Sequence, residues 1–320
     1  MACFHLLLII ARMSTKTFPN GVVITTYPVP PASFDFGKVA EEDRALYGLP
    51  RFTAGSGVLE QLWQAKVRNL GFVEPEFKPR DRRRSKLPGL KLGHGTETSN
   101  IWSGCVAFPA SGDKIWDVNG IWNIPKATLP PGAQNGIWYT ASSWIGIDGD
   151  DGSGDVLQAG CDADVMISGG NTQYQFNPWW EWYPADSFWI TNMLTSAGDE
   201  YFCWIQCLSL LFGAATPNSA LIILANNTKG IAMPFGATAP ANVSLKGNCA
   251  EWIVEALGTG PNNTPELAQY TPVYFNQCAA VTVNDKVVLP NNGNTINMVS
   301  STNNVISQGS FLGSVTVSHT

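Results

Sequence analysis

The sequence predicts an all-β body, an antiparallel sandwich or barrel, preceded by a mixed and partly helical N-terminal segment. From about residue 99 the chain reads as short β-branched and aromatic runs, such as "ALIILANNTKGIAM" and "GSFLGSVTVSH", separated by Gly, Asn and Asp turns. Many short strands without intervening helices form antiparallel sheets. The best helical spacing in the chain, Leu59, Trp63, Val67 and Leu70 within residues 57–72, lies upstream of these runs. The chain has 320 residues at 44% hydrophobic content, enough to fill a substantial core.

The opening "MACFHLLLIIARM" is an apolar run of signal-peptide length without a basic n-region or a clear cleavage site, and Met13 is an equally good start. It is too short to span a membrane, which takes about 20 apolar residues. Residues 14–56 are punctuated by Pro and Gly without clear periodicity, and the helical stretch follows them. Next comes "KPRDRRRSKLPGLK", residues 78–91, dense in Lys and Arg with two prolines. Such a run is usually a solvated linker; its functional reading is a processing or masking segment. The Asn-rich segment 291–304 reads as loop, and no internal repeat is present. The chain divides into a leader, 1–94, and a body, 95–320.

Charge divides at the same place. The leader holds 14 Lys/Arg and 8 Asp/Glu, the body 5 Lys/Arg and 17 Asp/Glu, for nets of +6 and −12. The two parts should attract. A body so poor in cations cannot neutralise many phosphates, which excludes nucleic acid as a partner. Three sequons, at Asn226, Asn242 and Asn262, permit glycosylation, and secretion is the expectation.

The histidines stand at positions 5, 94 and 319, outside the stretches that could carry chemistry, so a Ser/His or Cys/His engine lacks a base. A histidine-rich metal site fails for the same reason, and no metal or cofactor is expected. The seven cysteines are an odd number, and the spacing of Cys203 and Cys207 fits no zinc pattern.

Three strand-like stretches carry polar groups that a core strand does not need. In "NPWWEWYPAD", residues 177–186, alternation places Trp179, Glu181 and Tyr183 on one face and Trp180 and Trp182 on the other. That arrangement suits a groove gripping an extended polymer, peptide or sugar; it equally suits a sandwich strand with a chance surface acid. In "VLQAGCDAD", residues 156–164, Gln158 and Asp162 share a face opposite Leu157, Ala159 and Cys161. In "NCAEWIVEAL", residues 248–257, Glu251 and Glu255 share a face opposite Trp252 and Val254. Taken singly, each is the wet side of a half-exposed sheet; together they form a polar face flanked by tryptophans.

The ordered blocks "SNIWSG", "SSWIGIDG", "VLQAGCD", "WWEWYP" and "AEWIVE" resemble the glutamic peptidases, or eqolisins, over roughly residues 98–320. The resemblance implies a concanavalin-like sandwich of two large antiparallel sheets and an acid-acting endopeptidase. The family's catalytic glutamine and glutamate map onto Gln158 and Glu255. Trp102, Trp144, Asp148, Asp162, Trp179, Glu181 and Tyr183 map onto other active-face positions, with Glu251 beside Glu255 as a competing acid. The leader then resembles a propeptide acting as an intramolecular inhibitor of a monomeric, secreted enzyme whose substrates are polypeptides. Cys161 stands where an aromatic is expected, on the core face, and Ser103 where glycine is common, at the expected cleft floor. The rival readings are a carbohydrate-binding or glycoside-hydrolysing sandwich, which needs two essential carboxylates such as Glu181 and Glu255, and a non-catalytic relative.

Overall fold

Period-two alternation builds the body into two largely antiparallel sheets packed face to face, with Thr96–Ser99 added parallel to Gly293–Val299. The computed structural model describes residues 13–80 and 95–320, except 32–33, 36–39, 54–56, 68–69, 151, 153, 214–217 and 241. The first sheet runs, in hydrogen-bonded order, through Phe188–Ile190, Asn171–Tyr183, Val156–Ser168, Trp138–Ile147, Ala250–Glu255, Trp102–Ala107 and Gly293–Val299. It continues through Val305–Phe311 and Val315–His319 to the start of Val273–Thr282. The second sheet runs through the end of that last strand, Ile115–Asn123, Glu200–Cys207, Ser219–Asn226 and Ile231–Thr238. Val273–Thr282 therefore belongs to both sheets. Its register shifts between Asn276 and Ala279, where Gln277 takes a φ of 51°, and such a bulge lets one strand turn from sheet to sheet.

Between the sheets lies one apolar core containing Trp122, Ile145, Leu157, Ala159, Cys161, Trp180, Trp182, Ile205, Trp252 and Val254. Two indoles tie the sheets together across it. Trp122 Nε1 donates to Ser143 Oγ at 2.9 Å, and Trp252 Nε1 donates to the Asn119 carbonyl at 3.0 Å. The segment expected to be loop, 291–304, contains the strand Gly293–Val299. Its Ile296 and Met298 share one face and are fully buried, Ile296 with Trp102, Trp144 and Ile253 on the outer side of the sheet, and this two-residue signal was hidden among the asparagines.

The leader joins both sheets. Val23–Thr26 pairs with residues 235–238, and Ser14–Thr17 pairs with Val23–Thr26, extending the second sheet by a hairpin. Gly71–Phe72 adds a short parallel pairing to the Ile231–Thr238 strand. Phe77–Pro79 pairs antiparallel with Phe188–Ile190 at the edge of the first sheet. Helices span Glu41–Leu46 and Gly57–Val67. In the longer one, Leu59, Trp63 and Val67 recur every four residues on one face. They are buried against the outer face of the second sheet with Ile121, Phe202, Trp204, Leu221, Ile223 and Val281. The Trp63 ring lies 6.1 Å from Phe202 and 5.9 Å from Trp204. Residues 78–80 of the basic run are described; the rest of it lies outside the described residues. No helix among the described residues is long and apolar enough to cross a membrane.

Under this helical layer sits a buried acid. Trp204 Nε1 donates to Asp117 Oδ1 and Oδ2 at 2.9 and 2.8 Å, and Gln206 Nε2 donates to Oδ2 at 2.7 Å. Gln206 also reaches the leader, donating to the Arg51 carbonyl at 2.7 Å and accepting from the Arg51 N–H at 2.8 Å. Burial pushes Asp117 up to about 7, against the pull of its hydrogen bonds from Gln206 and Trp204.

Two expectations follow. Trp63→Ala empties a buried indole site and should cost about 3–5 kcal/mol in urea unfolding. Asp117, ordinarily near 3.8, stays protonated in the fold up to about 7, so its contribution favours the folded state in acid and declines as pH rises through that window. Asp117→Asn should flatten the fall in melting temperature between pH 4 and 7; an unchanged slope would refute this reading.

Candidate active site

The polar face lies on the outer side of the first sheet and is centred on Trp138–Ile147. Register fixes what stands beside what. Gly146 has Gln158 on one side and Glu251 on the other; Trp144 lies between Gly160 and Ile253, and Ser142 between Asp162 and Glu255. The next strands add Glu181 beside Gln158, Trp179 beside Gly160, and Trp102 beside Glu255. A Cβ on Gly160 would stand 2.1 Å from the Ser143 carbonyl and 2.5 Å from Trp144 Cβ, so no side chain fits between the two indole positions. The expected face assignments hold throughout: Trp180, Trp182, Leu157, Ala159, Cys161, Trp252 and Val254 point into the core, while Trp102, Trp144, Trp179 and Ile253 form a second apolar group on the outer face.

Within this group the polar side chains are held by short hydrogen bonds. Gln158 Nε2 donates to Glu181 Oε2 at 3.0 Å, and Trp144 Nε1 donates to Glu255 Oε2 at 3.0 Å. Trp179 Nε1 donates to Ser142 Oγ at 3.0 Å, and Ser142 donates to Asp162 Oδ1 at 2.7 Å. Gln158 Oε1 makes no hydrogen bond among the described residues. The Trp102 ring meets Trp144 edge-on at 5.0 Å. Glu251 Oε1 accepts a weak bond from the Cys249 thiol at 3.7 Å. Glu251 is also close to the chain turn, since a Cβ on Gly149 would lie 3.2 Å from its Oε2 and 3.0 Å from Trp102 Cη2.

This face is not the wet surface its polar residues suggested: Gln158 is 1% exposed and Glu255 3%. Part of the cover comes from the leader. The Arg80 guanidinium, fully buried, puts Nη2 at 2.6 Å from each Asp162 oxygen and lies 4.7 Å from the centre of the Trp179 ring. Its backbone N–H donates to the Ser187 carbonyl at 2.9 Å, continuing the edge pairing of Phe77–Pro79.

Several site expectations are refined. Asp148 was expected among the substrate-binding or supporting residues of the active face. Its carboxylate accepts the backbone N–H groups of Lys246, Gly247 and Asn248 at 2.5, 2.9 and 2.6 Å. It fastens the loop that leads into the Glu251–Glu255 strand. Tyr183 sits at the end of its strand, half-buried, beside Val156. Ser103 does not reach the cleft floor. One residue from Trp102, it points the other way, and its Oγ bonds Ser307 Oγ, which in turn bonds the Tyr270 hydroxyl. Cys161 lies in the core, and the six described cysteines are buried free thiols. Burial pushes the Cys105 thiol up to about 12 and Cys207 to about 11. Two participants escaped the sequence reading. Ser142 was legible through its alternation with Trp144; Arg80 was read only as one cation of a run that is either a solvated linker or a masking segment.

Comparison with known proteins bears on the family and the fold. A family model described as the Peptidase A4 family matches residues 100–320. Aspergillopepsin-2 of Aspergillus niger is 29% identical over 247 residues, 72% of this chain and 82% of its own length. Scytalidopepsin B of Scytalidium lignicola is 27% identical over 222 residues, covering 65% and 76% respectively. Among solved structures, a scytalido-glutamic peptidase with a transition state analog inhibitor matches with a TM-score of 0.55 at 22% identity, covering 69% of this chain and 98% of that one. SCP-B, a peptidase of the Eqolisin family solved with the tripeptide Ala-Ile-His, matches over the same shares with a TM-score of 0.51 at 20% identity. These two likenesses show the all-β, two-sheet fold.

Asp148→Ala should leave the Lys246, Gly247 and Asn248 N–H groups, the middle one buried, without their acceptor and cost about 1–3 kcal/mol in thermal or urea unfolding. Hydrogen exchange should speed up at residues 246–248. Unchanged exchange there would show that the loop is held by other contacts.

Proposed function

The chain belongs to the peptidase A4 family, and on that premise we propose that it is an acid endopeptidase working through Gln158 and Glu255. The observation that supports this most is their placement on one face around Trp144, each already oriented by a hydrogen bond to a fixed neighbour. Ionised Glu255, with Oε2 held by the Trp144 indole, takes a proton from the water that attacks the scissile carbonyl. Gln158 Oε1 is an acceptor for the attacking water. The amide Nε2, anchored to Glu181 by one N–H, has a second N–H with which to stabilise the oxyanion. Protonated Glu255 then donates to the departing amine. An ordinary glutamate titrates near ~4.3, so such a base works in acid, where a histidine would already be protonated. In this reading Glu181 organises the cleft, and Trp102, Trp179 and Tyr183 receive the substrate chain.

Glu251 has a competing claim to the role of base, because it stands in the same row as Gln158 across Gly146. The Trp144 hydrogen bond and the matched block favour Glu255.

The leader acts on this reading as an intramolecular inhibitor, with Arg80 laid over Trp179 and Asp162 near neutral pH. Below about pH 4 carboxylates as a class gain protons and the attraction between a basic leader and an acidic body weakens. The domain division at residues 94–95, a secreted zymogen and a monomeric enzyme complete the proposal.

Casein or haemoglobin digestion across pH 2–7 tests it. Gln158→Ala and Glu255→Ala should each lose a hundredfold or more in kcat without loss of fold. Glu181→Gln should reduce activity and not abolish it. Loss in Glu251→Ala with full activity in Glu255→Ala moves the base to Glu251. Hydrolysis of polysaccharide by the unmodified protein, with none of casein, would overturn the peptidase reading in favour of a glycosidase.

A further inference from the structure

The leader makes two unlike contacts with the body. At the edge of the first sheet it presents an arm, Phe77–Pro79 with Arg80, whose charged end lies over Asp162 and Trp179. On the second sheet it is part of the fold. Val23–Thr26 hydrogen-bonds along residues 235–238, and Gly71 and Phe72 sit beside Ile231 and Ala232. Leu49, Leu59, Trp63 and Val67 bury the outward-facing Phe202, Trp204, Leu221, Ile223 and Val281. Phe52 adds an edge-on contact to Trp204 at 5.5 Å. Gln206 exchanges two hydrogen bonds with the Arg51 backbone. A removable inhibitor needs a seat that tolerates water once it leaves. This seat is a contiguous patch of large aromatic and aliphatic side chains, of the kind soluble proteins rarely expose.

We infer that residues 13–80 remain bound to the body as a non-covalent subunit after any cut in the 81–94 linker, so that relief of inhibition is a displacement of the Arg80 arm and not a loss of the leader. Acid conditions favour this division. The seat on the second sheet is apolar, and the buried acid Asp117 within it is neutral when protonated and is most comfortable there in acid. The groups facing that acid are Trp204 and Gln206 on the neighbouring strand; the Arg51 guanidinium nearby is paired with Glu41 at 3.0 Å and lies 5.0 Å from the Phe212 ring. The arm, by contrast, ends in the Arg80–Asp162 ion pair, whose hold depends on charge and not on apolar burial.

Relief of inhibition rests on the proposed function, whereas retention of residues 13–80 does not, so failure of the latter would leave the functional reading standing. A recognition site for a site-specific protease is placed between Arg84 and Leu90, the full chain is cut at pH 7, and completeness is checked by denaturing mass spectrometry. The two pieces should co-elute from a native size-exclusion column at micromolar concentration, at pH 7 and at pH 3.5, and separate in denaturant. The same cut in Trp63→Ala, or in the milder Leu59→Ala if the first does not fold, should raise the dissociation constant of the pieces at least tenfold. Separation of the unsubstituted pieces on the native column at either pH overturns the inference, whether or not the larger piece stays folded.

Discussion

Strict alternation on three adjoining strands, Val156–Ser168, Trp138–Ile147 and Ala250–Glu255, is the constraint on which the rest of the molecule depends. Every second residue of each must fill the space between the sheets, and every other one must build the opposite face. Leu157, Ala159, Cys161, Ile145, Trp252 and Val254 meet the first demand. Gln158, Asp162, Ser142, Trp144, Glu251 and Glu255 are the residues left for the second. A slip of one residue would drive a glutamine and four acids, Asp164 among them, into the core, so the register is specified by the cost of that alternative. The indole bonds of Trp122 and Trp252 across the core hold the second sheet in step with the first.

Having gathered acids on one face, the body needs donors to hold them, and it has few cations to use. Five Lys/Arg serve 17 Asp/Glu in residues 95–320, whereas the whole chain has 12 tryptophans. The indole N–H takes over much of the task, as Trp144 on Glu255 and Trp204 on Asp117 illustrate. Trp179 acts one step removed, through Ser142 on Asp162. An indole is a donor only, and it does not titrate. Bonds of this kind keep their donor at any pH, while a histidine in the same place would change charge over the acid range. The chain's composition, rich in Trp and poor in His and Lys, is consistent with a face that has to keep its geometry in acid.

Much of this was legible before the structure. Both faces of the stretches 156–164, 177–186 and 248–257 followed from alternation alone, because each mixes large apolar and polar residues with period two. The helix around Trp63 followed from spacing. What stayed hidden was chiefly non-local. Asp148 reads as one more acid in a glycine-rich turn; that it fastens residues 246–248, about a hundred positions away, depends on the loop being brought to it. Ser103 was misplaced for a local reason, since its neighbour Trp102 on the site face implies that it faces inward. The strand Gly293–Val299 was masked by asparagines, whose turn preference outweighed two buried residues. Arg80 was concealed by its company. In a run of cations the natural expectation is solvent, and nothing in the run marks the one that is buried.

The charge asymmetry between leader and body suggested that opposite signs hold them together, and the geometry assigns that task elsewhere. Two of the leader's arginines are spent within it, Arg44 on Glu60 and Arg51 on Glu41, each at 3.0 Å. Lys66 reaches Glu200 on the body at 3.1 Å, but both side chains are partly exposed, and such pairs are worth roughly 0–1 kcal/mol. Burying one side chain the size of Leu or Phe is worth about 1.5–3 kcal/mol, and the helical layer buries several, Trp63 among them. Among the described residues adhesion is therefore dominated by the apolar seat, which salt does not screen. The Arg80–Asp162 pair is the exception in being fully buried, and it lies on the site face, where an uncompensated charge is most costly. Its worth is conditional: with both partners present it closes the face, and with either one lost it leaves the other as a buried ion. One segment thus combines a seat that is indifferent to charge with an end that is governed by it.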